Sequence, residues 1–344
     1  MAYQAAVVGG SGYTGAELLR LLSIHPEIDV VAATADSNAG ARAAELYPSL
    51  TAAYPDLRYG PMDPAALAGL DLVFLAMPHG ASQSFAPQLL GKVGHVVDLG
   101  ADFRLPLADY EQWYGAAHTA PEVIDRFAYG MVEFYRSDIV AATNVAVPGC
   151  YPTAASIALA PLFAAGLVDP HVIVDAMSGL SGAGRGLKVS SHFSEADESV
   201  SAYSLLNHRH TVEIERTLSN VAGAPVEALF TPHLVPMVRG MQATCHATPT
   251  VPGLSTASLL ATYREYYADE PFVVVVDEPP PTKAATGANT CLVTVRYDDR
   301  TGRVLALGVL DNLVKGASGS AVQNANLLLG IVETTALPTV GMWP

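Results

Sequence analysis

The sequence predicts an α/β domain with a parallel sheet, followed by an α+β domain with a mixed sheet. Three observations support this prediction. Up to residue 149, short continuous apolar runs alternate with amphipathic helical patterns, which is typical of a parallel sheet covered on both faces. After that point most apolar runs are typical of strands, with few helices between them. The chain of 344 residues is also longer than one hydrophobic core usually supports.

The first elements form a βαβ unit. Residues 5–8, AAVV, predict a strand, and they are followed by the glycine-rich turn GGSGYTG and by a helix whose leucines recur on one face. This helix should end before Pro26, and residues 28–34, IDVVAAT, predict the second strand. Two more strands are predicted at 70–77 and 94–100, with the helix HGASQSFAPQLL between them.

The second domain begins with the helix AASIALAPLFAAGL, which should start at Pro152. The last segment, KGASGSAVQNANLLLGIV, predicts a glycine turn and a C-terminal helix that we expect to return to the first domain. The predicted domains are therefore residues 1–149 with 314–344, and residues 150–313. Within the second domain, strands are predicted at 172–180, 228–236, 241–250, 271–278, 290–298 and 303–313.

The composition excludes several classes of protein. Half of the residues are apolar and 15% are charged, which does not fit a disordered chain. A net charge of −15 disfavours nucleic-acid binding, because that binding depends on Lys and Arg at phosphates. The N-terminus lacks the pattern of a signal peptide, and no apolar run reaches the roughly 18 residues of a membrane span. We therefore expect a cytoplasmic protein with neither a nucleic-acid nor a membrane partner.

The three cysteines favour free thiols. Cys150, Cys245 and Cys291 are odd in number, and none belongs to a CxxC pair. This pattern is typical of a reducing compartment. The neighbouring Cys245 and His246 lack the spacing of a zinc site, so no metal is predicted. Cys245 and Cys291 lie in predicted strands, where we expect inert core residues.

The turn GGSGYTG predicts a dinucleotide-binding site. Gly9, Gly12 and Gly15 form a GxxGxxG pattern between a strand and a helix. Glycine there permits close approach of the backbone to a pyrophosphate, and the helix N-terminus supplies N–H donors. A purely structural turn or another nucleotide site would also fit this spacing. The predicted cofactor-binding residues of the turn are Gly9, Gly10, Ser11, Gly12, Tyr13, Thr14 and Gly15.

The residues after the second strand leave the choice between NAD and NADP open. Asp36 could bind a ribose hydroxyl, as an acidic residue does in many NAD sites. Ser37 and Arg42 could instead bind a 2′-phosphate next to the strand end at Thr34.

Cys150 stands at the start of a predicted helix, between Pro148-Gly149 and Tyr151-Pro152. Proline is favoured in the first turn of a helix, so the thiol should lie at or just before the helix N-terminus. In general, such a position lowers the pKa of a thiol and stabilises an oxyanion. This context predicts a nucleophile rather than an inert core residue.

The segment VAVPGCYPTAASIALAP resembles the active-site signature of the N-acetyl-γ-glutamyl-phosphate reductases, which belong to the aspartate-semialdehyde dehydrogenase superfamily. The resemblance spans essentially the whole chain. One departure is Val212, where the family usually has proline, and it affects a turn more than a chemical group. The other stretches that resemble family blocks, in the family's order, are GGSGYTGAELLRLL, FLAMPHG, VVDLGADFRL, SGLSGAGRG, NHRHTVEIE, FTPHLVPMVRG and DNLVKGASGSAVQNANLLLG.

The resemblance implies reduction of an acyl phosphate to an aldehyde with NADPH, in arginine biosynthesis. Cys150 would attack the γ-carbonyl of N-acetylglutamyl 5-phosphate, phosphate would leave, and hydride would reduce the resulting thioester. Histidine suits the acid–base step. The family motif implies His208 as the base and Glu213 as its partner, and His210 is the alternative.

The substrate would carry a carboxylate and a phosphate, for which arginine is a preferred partner. Arg209 and Arg104 rank first, ahead of Arg185 and Arg239, and Tyr203 is a further substrate-binding candidate. The SGAGRG loop could instead form an anion-binding nest beside the nicotinamide. We expect Lys315 to close over the cofactor together with Asn312. The remaining predicted cofactor-binding residues are Thr34, Pro78, His79, Ser181, Gly182, Gly184 and Asn312.

Three alternatives remain open at this point. Within the same chemistry, the chain could be an aspartate-semialdehyde dehydrogenase or a lysine-pathway reductase of a carrier-bound aminoadipyl phosphate. A non-catalytic NADP-sensing regulator could keep the glycine turn but would have no use for a helix-capping cysteine with an HRH motif. The family suggests a homodimer or a homotetramer.

Overall fold

The computed structural model describes residues 2–343. Their contacts divide the chain into two compact units. Unit 1 comprises Met1–Pro148 and Ala317–Leu337, and unit 2 comprises Gly149–Gly316 and Pro338–Pro344. Compared with the boundaries predicted from the sequence, the first lies one residue earlier and the second three residues later, and the final segment belongs to unit 2.

Unit 1 is built on six strands that pair in parallel throughout. The strands are β1 Tyr3–Val8, β2 Ile28–Thr34, β3 Leu72–Leu75, β4 His95–Asp98, β5 Phe127–Tyr129 and β6 Asn144–Ala146, and their order in the sheet is β2-β1-β3-β4-β6-β5. The helices between them are α1 Tyr13–Leu22, α2 Ala43–Leu46, α3 Ser82–Phe85, α4 Leu107–Tyr114 and α5 Val132–Ala141. Since β2 and β3 flank β1 on opposite sides, the carboxyl end of β1 is a point where ligands bind in such sheets.

Unit 2 contains a seven-stranded mixed sheet. Its strands are β7 Val168–Gly179, β8 Ser201–Ala202, β9 Glu227–Val235, β10 Met241–Pro249, β11 Val273–Val275, β12 Cys291–Asp298 and β13 Arg303–Leu310, in the order β11-β12-β13-β10-β7-β9-β8. Its helices are α6 Cys150–Ala164, α7 Phe193–Ala196, α8 His210–Ala222 and α9 Thr256–Tyr266. Two strand pairs are parallel and the others antiparallel. The predicted fold class is confirmed.

Helix α6 forms the core of unit 2. It is apolar on every side, and it is covered by the sheet and by α8 and α9, as expected for a helix without a polar face. Pro161 lies inside this helix and has no N–H for the carbonyl of Ile157. The hydroxyl of Tyr267 donates to that carbonyl oxygen at 2.6 Å, so the missing hydrogen bond is replaced from outside the helix.

The chain returns to unit 1 through a π-helical turn, Val314–Ser318, and the helix α10, Gly319–Leu328. Helix α10 packs against α1, α5 and β4. Its Asn324 donates to the carbonyl oxygen of Gly130 at 2.8 Å. Its Asn326 pairs with His25 at 2.9 Å, and burial lowers the pKa of that histidine. Helix α10 is therefore an integral part of unit 1.

The structure differs from the predicted elements mainly in helices. Helix α6 begins at Cys150 rather than Pro152, because Gly149 is already in the extended conformation of an N-cap. The helix predicted between β3 and β4 ends early, before a 3₁₀ turn that contains Pro87. Helices α8 and α9 were not predicted. The 3₁₀ helices are Pro48–Leu50, Pro64–Leu67, Ala86–Gln88, Pro121–Arg126, Leu180–Ala183, Val189–Ser191 and Thr282–Ala285.

Across residues 2–343, no helix has both the length and the apolar character that crossing a bilayer requires.

Candidate functional site

The glycine turn of unit 1 forms a cradle that side chains would fill. It joins β1 to α1 at the carboxyl edge of the sheet. Gly9 has a φ of +81°, and a Cβ there would lie 2.4 Å from the carbonyl oxygen of Ala76. A Cβ on Gly15 would lie 2.5 Å from the carbonyl oxygen of Gly9. Helix α1 starts at Tyr13, so its N-terminal N–H groups are available to a pyrophosphate. The turn fits a dinucleotide.

Three side chains that the sequence did not single out hold this turn in place. Tyr59, which is almost fully buried, donates its hydroxyl to the carbonyl of Gly10 at 3.2 Å. Tyr47 donates to the carbonyl of Ser11 at 2.8 Å, and Asn38 donates to the Ser11 hydroxyl at 3.2 Å. These residues lie in an irregular segment without periodicity, so no pattern pointed to them.

The end of β2 carries no carboxylate. The strand ends at Thr34, whose backbone carbonyl accepts hydrogen bonds from the N–H groups of Gly9 and Gly10 at 3.1 and 2.8 Å. Asp36 and Ser37 follow on an exposed turn. The exposed Arg42 makes an ion pair with Glu45, with Nε 2.8 Å from Oε1. Because the acidic residue of NAD sites sits near the end of this strand, a threonine there leaves room for a 2′-phosphate.

His79 is oriented by a buried carboxylate after β3. Its Nδ1 lies 2.9 Å from Oδ1 of Asp102, and its ring packs on Tyr114. The Asp102 carboxylate also accepts the N–H groups of Gly80 and Gln83. Burial alone would raise the pKa of Asp102, but the hydrogen bonds from His79 and the backbone outweigh it and lower the pKa. His79 and the preceding Pro78 are exposed at the carboxyl edge of the sheet.

Asp98, at the end of β4, is in the opposite situation. It is fully buried, and its Oδ1 accepts from the Ser82 hydroxyl at 2.7 Å and from the Gly100 N–H at 2.9 Å. Among residues 2–343, Oδ2 has no hydrogen-bond partner. Burial raises the pKa of Asp98 to about 7, although both hydrogen bonds act against it. Arg104 is also buried and donates to the carbonyl of Leu99 at 3.0 Å.

In unit 2, a buried glutamate joins the start of α6 to α8. Oε2 of Glu213 accepts the N–H of Gly149 at 3.1 Å, directly before Cys150. Oε1 of Glu213 lies 3.8 Å from Nε2 of His210. The His210 ring rests on Gly149, since a Cβ there would lie 2.5 Å from Nε2. The structure thus places His210 and Glu213 beside the residue that precedes the cysteine.

His208 lies in an aromatic box next to this pair. Its ring packs against those of Tyr151, Tyr203, His210 and Phe230, with centroids 4.8 to 5.6 Å away. Its Nδ1 accepts the backbone N–H of His210 at 3.1 Å. Burial, helped by the nearby charges of His210 and Arg209, lowers the pKa of His208 to about 3. His208 is therefore neutral in the working range of most enzymes.

The predicted substrate-binding residues of unit 2 differ from one another in exposure and in their contacts. The Tyr203 hydroxyl donates to that of Tyr151 at 3.1 Å, beside the histidines. Arg185 and Arg209 are exposed. Arg239 is anchored, with Nη1 3.5 Å from Oδ2 of the buried Asp311.

The SGAGRG loop is held by Asn312. The Asn312 Oδ1 accepts the N–H of Gly240 at 2.9 Å, and its Nδ2 donates to the Ser181 hydroxyl at 2.9 Å. Gly184 has a φ of +80°, which favours glycine. Asn312 therefore positions this loop from within unit 2, and its contact with a cofactor stays a prediction, as does that of Gly182. Lys315 is buried, with Nζ 5.5 Å from the centre of the Phe272 ring.

In each unit, the structure brings part of the predicted set together. In unit 1 the glycine turn, the end of β2 and His79 lie at the carboxyl edge of one sheet, and in unit 2 Cys150, His208 and Glu213 lie together with His210. Across the part of the chain that the structure describes, no group of His, Cys, Asp and Glu side chains could hold a metal ion.

Both units resemble domains of known proteins. Residues 4–142 match a family model described as semialdehyde dehydrogenase, NAD binding domain, and residues 150–312 match the corresponding dimerisation domain. An N-acetyl-gamma-glutamyl-phosphate reductase of Symbiobacterium thermophilum is 49% identical over 99% of both chains. One from Acidithiobacillus ferrooxidans is 48% identical over the same share.

Solved structures share the fold at low identity. Aspartate semialdehyde dehydrogenase II from Vibrio cholerae has a TM-score of 0.73 at 16% identity, covering 96% of this chain and 99% of that one. The enzyme from Candida albicans, solved with NADP, has a TM-score of 0.67 at 17% identity and the same coverage.

Replacing Asp98 by Asn should stabilise unit 1 at neutral and higher pH. Because the folded-state pKa of Asp98 is raised from 3.8 to about 7, its stabilising contribution is present below about pH 4 and is lost as the pH rises to 7. Asparagine has the shape of the protonated acid and keeps the acceptor for Ser82 and Gly100. The gain in unfolding free energy should grow from about pH 4 to 7 and reach roughly 1–3 kcal/mol. Urea unfolding followed by Trp113 fluorescence, in a Trp343→Phe background, measures it.

Asp102→Asn is the matched control. Both Asp102 oxygens accept N–H groups, and an amide nitrogen cannot, so this variant should lose stability at pH 7. A gain for Asp98→Asn that does not change with pH, or the same sign for both variants, would contradict this account.

Proposed function

The chain belongs to the N-acetyl-γ-glutamyl-phosphate reductase family, and we propose that it reduces N-acetyl-L-glutamyl 5-phosphate to N-acetyl-L-glutamate 5-semialdehyde with NADPH, releasing phosphate. Identity of 48 to 49% over 99% of the chain to reductases of that name supports this choice of substrate. The observation that carries the chemistry is Cys150 at the first position of α6, next to the His210–Glu213 pair. The three free cysteines fit a cytoplasmic enzyme.

In the proposed reaction, the Cys150 thiolate attacks the γ-carbonyl carbon. The C–O bond to phosphate breaks, phosphate leaves with its electron pair, and a thioester remains. The N-terminus of α6 places positive partial charge where the thiolate and the oxyanion carry negative charge. NADPH, when bound, supplies the hydride that reduces the thioester carbon. The C–S bond then breaks, releasing the aldehyde and the thiolate.

The glycine turn would hold the cofactor's pyrophosphate through backbone N–H groups, because the cradle at Gly9 and Gly15 admits only glycine. Thr34, Ser37 and Arg42 would lie at the adenosine ribose. His79, held by Asp102, would line the same pocket in unit 1.

Proton transfer at Cys150 calls for a histidine with access to the thiol. The family motif implies His208 for this role, and that role stays a prediction. The contacts favour His210, since its ring rests on Gly149 and faces the Glu213 carboxylate, which can stabilise an imidazolium. The low pKa of His208 and the hydrogen bond at its Nδ1 suit a neutral group that donates from Nε2. We therefore propose His210 as the base and His208 as a hydrogen-bond donor.

The reverse reaction tests the activity. When the protein is incubated with NADP⁺, phosphate and N-acetylglutamate semialdehyde, reduced cofactor should form, and its absorbance measures the rate. Aspartate semialdehyde should react much more slowly. Cys150→Ser should lower the rate roughly 10³-fold or more, because the nucleophile is removed. Cys291→Ala, a buried cysteine, should keep it. Equal rates with both aldehydes, or full turnover of Cys150→Ser, would contradict the proposal.

Alkylation of Cys150 by iodoacetamide separates the two histidines without turnover. The His210 imidazole can accept the thiol proton, and the imidazolium that forms stabilises the thiolate. His210→Asn should therefore shift the pH profile of alkylation to higher pH by about one unit or more. His208→Asn should leave the profile close to that of the wild type while lowering the rate of semialdehyde oxidation. Cys245 and Cys291 are fully buried, and Cys150→Ser gives the blank. A shift confined to His208→Asn would restore His208 as the base.

The open face of the unit 2 sheet supports a homodimer. Helices α6, α8 and α9 cover one face, while Ile173, Met177 and Leu229 remain 43 to 50% exposed on the other. Ile173 and Leu229 lie opposite each other on β7 and β9. We propose that this face binds a second copy, since the matching family model is described as a dimerisation domain.

Sedimentation velocity checks this surface. A double variant, Ile173→Asp with Leu229→Asp, should shift the dimer to monomer, because the charges would be buried without partners. Ile24→Asp, an exposed isoleucine of unit 1, should leave the oligomer unchanged. A monomeric wild type, or a double variant that still dimerises, would contradict the proposal.

A further inference from the structure

We propose that Arg58 acts with Arg42 to bind the 2′-phosphate of NADPH, and that Arg58 determines the preference for NADPH over NADH. The inference rests on the proposed function only for the identity of the cofactor. The sequence pattern around Arg58, DLRYG, does not indicate a binding residue, since Arg58 does not come directly after a predicted strand or helix.

The segment that carries Arg58 runs past the carboxyl end of β2. The N–H of Gly60 donates to the carbonyl of Ala33 at 2.8 Å, and the N–H of Ala35 donates to the carbonyl of Gly60 at 3.0 Å. Gly60 thereby pairs in parallel with Thr34, the last residue of the strand. In sheets of this type the adenosine ribose binds at the end of the second strand. Arg58 is therefore two residues from that position.

Backbone pairing also places Arg58 opposite Arg42. The two form an antiparallel bridge, with hydrogen bonds from Ala43 to Leu57 at 2.8 Å and from Tyr59 to Ala41 at 3.0 Å. Side chains of directly opposite residues lie on the same face, with Cβ atoms about 5 Å apart. Two exposed guanidinium groups therefore extend from one patch of unit 1.

Each guanidinium is held by a hydrogen bond from one of its nitrogen atoms. Nη1 of Arg58 donates to the carbonyl of Gly40 at 2.8 Å, and Nε of Arg42 donates to Glu45 at 2.8 Å. Within residues 2–343, Nε and Nη2 of Arg58 have no hydrogen-bond partner. The pKa of Glu45 is lowered, first by its hydrogen bonds from Arg42 and then by the charges of Arg42 and Arg58, so both guanidinium groups act on one carboxylate.

The charges explain why one arginine would not be sufficient. Glu45 offsets the charge of Arg42, and the exposed Asp36 adds a negative charge on the turn that follows β2. Arg42 alone would thus meet a dianionic 2′-phosphate with no net positive charge. Arg58 adds a second positive charge, which cancels the negative charge that remains on this group, and it adds forked donors, which match phosphate oxygens. NADH, which lacks the phosphate, gains nothing from it.

Calorimetric titration with 2′,5′-ADP and with 5′-ADP tests the assignment without turnover. Arg58→Ala should weaken binding of 2′,5′-ADP about 10-fold or more and leave 5′-ADP unchanged, since a charge-assisted contact is lost only with the first. Arg58→Lys should recover part of the affinity. Lys92→Ala removes one exposed charge before the amino end of the inner strand β4, and this variant should match the wild type. In the reductase assay, KM for NADPH should rise in Arg58→Ala and KM for NADH should not.

Two results would overturn the assignment. One is unchanged binding of 2′,5′-ADP by Arg58→Ala, and the other is an equal loss of both nucleotides, which would indicate a structural role. If the chain showed the nucleotide difference but no oxidation of N-acetylglutamate semialdehyde, the proposed substrate would be wrong and the role of Arg58 would be supported.

Discussion

The arrangement of unit 2 depends on one buried carboxylate. Glu213, on the first turn of α8, accepts the N–H of Gly149 and faces His210. A buried carboxylate is costly without such partners, so Glu213 ties the start of α6 to the start of α8. Two features follow. The thiol-bearing residue is held at the helix N-terminus, and an imidazole is held against the residue before it. The absence of a side chain at Gly149 makes this possible, since a Cβ would overlap the His210 ring.

The glycine turn of unit 1 relies on backbone contacts rather than on a buried charge. Gly9 and Gly15 permit close approach of the strand, the turn and the helix, and the carbonyl of Thr34 accepts two N–H groups of the turn. Tyr47 and Tyr59 bind the carbonyls on the other side. With its carbonyls occupied, the turn has few alternative conformations, which reduces the entropy lost when a ligand binds.

Much of the fold and the family could be predicted from the sequence, and the family is confirmed by the relatives. The strand predicted at 28–34 is Ile28–Thr34 in the structure, because a short run rich in apolar residues after a proline is a local strand signal, even in an edge strand that exposes Asp29 and Val31. Helix α9 was missed because its buried apolar stripe is short, with only Leu259, Leu260 and Tyr263, and its N-terminal signal is the local Ser255–Ser258 capping pair. Helix α8 was missed because its first residues belong to the stretch NHRHTVEIE, which was interpreted only as a family block.

From residue patterns alone, the site could be predicted only where residues are adjacent in sequence, and His208 and Glu213 were predicted through the family resemblance. The glycine turn and Cys150 are local patterns, whereas Tyr59 and Arg58 reach the cofactor region through pairing with distant segments. The protonation of buried carboxyl groups also depends on distant contacts that the sequence does not reveal. Asp98 and Asp102 belong to one short motif, yet the pKa of the first is raised and that of the second is lowered. Burial acts to raise the pKa of both carboxyls, and only at Asp102 do the hydrogen bonds from His79 and from two backbone N–H groups outweigh it.

The acidic composition can be reconciled with anionic ligands through the way the arginines are held. A net charge of −15 would repel a phosphate at long range, although salt screens that repulsion beyond about 10 Å. At short range the local donors decide. Arg239 and Arg42 are each held by a carboxylate, and Arg104 is held by a carbonyl inside unit 1. Anchoring one part of a guanidinium restricts its rotamers while leaving other donors in a defined direction. Acidic residues beside an arginine thus lower its net charge but orient its donors, which favours forked recognition of phosphate and carboxylate over non-specific attraction.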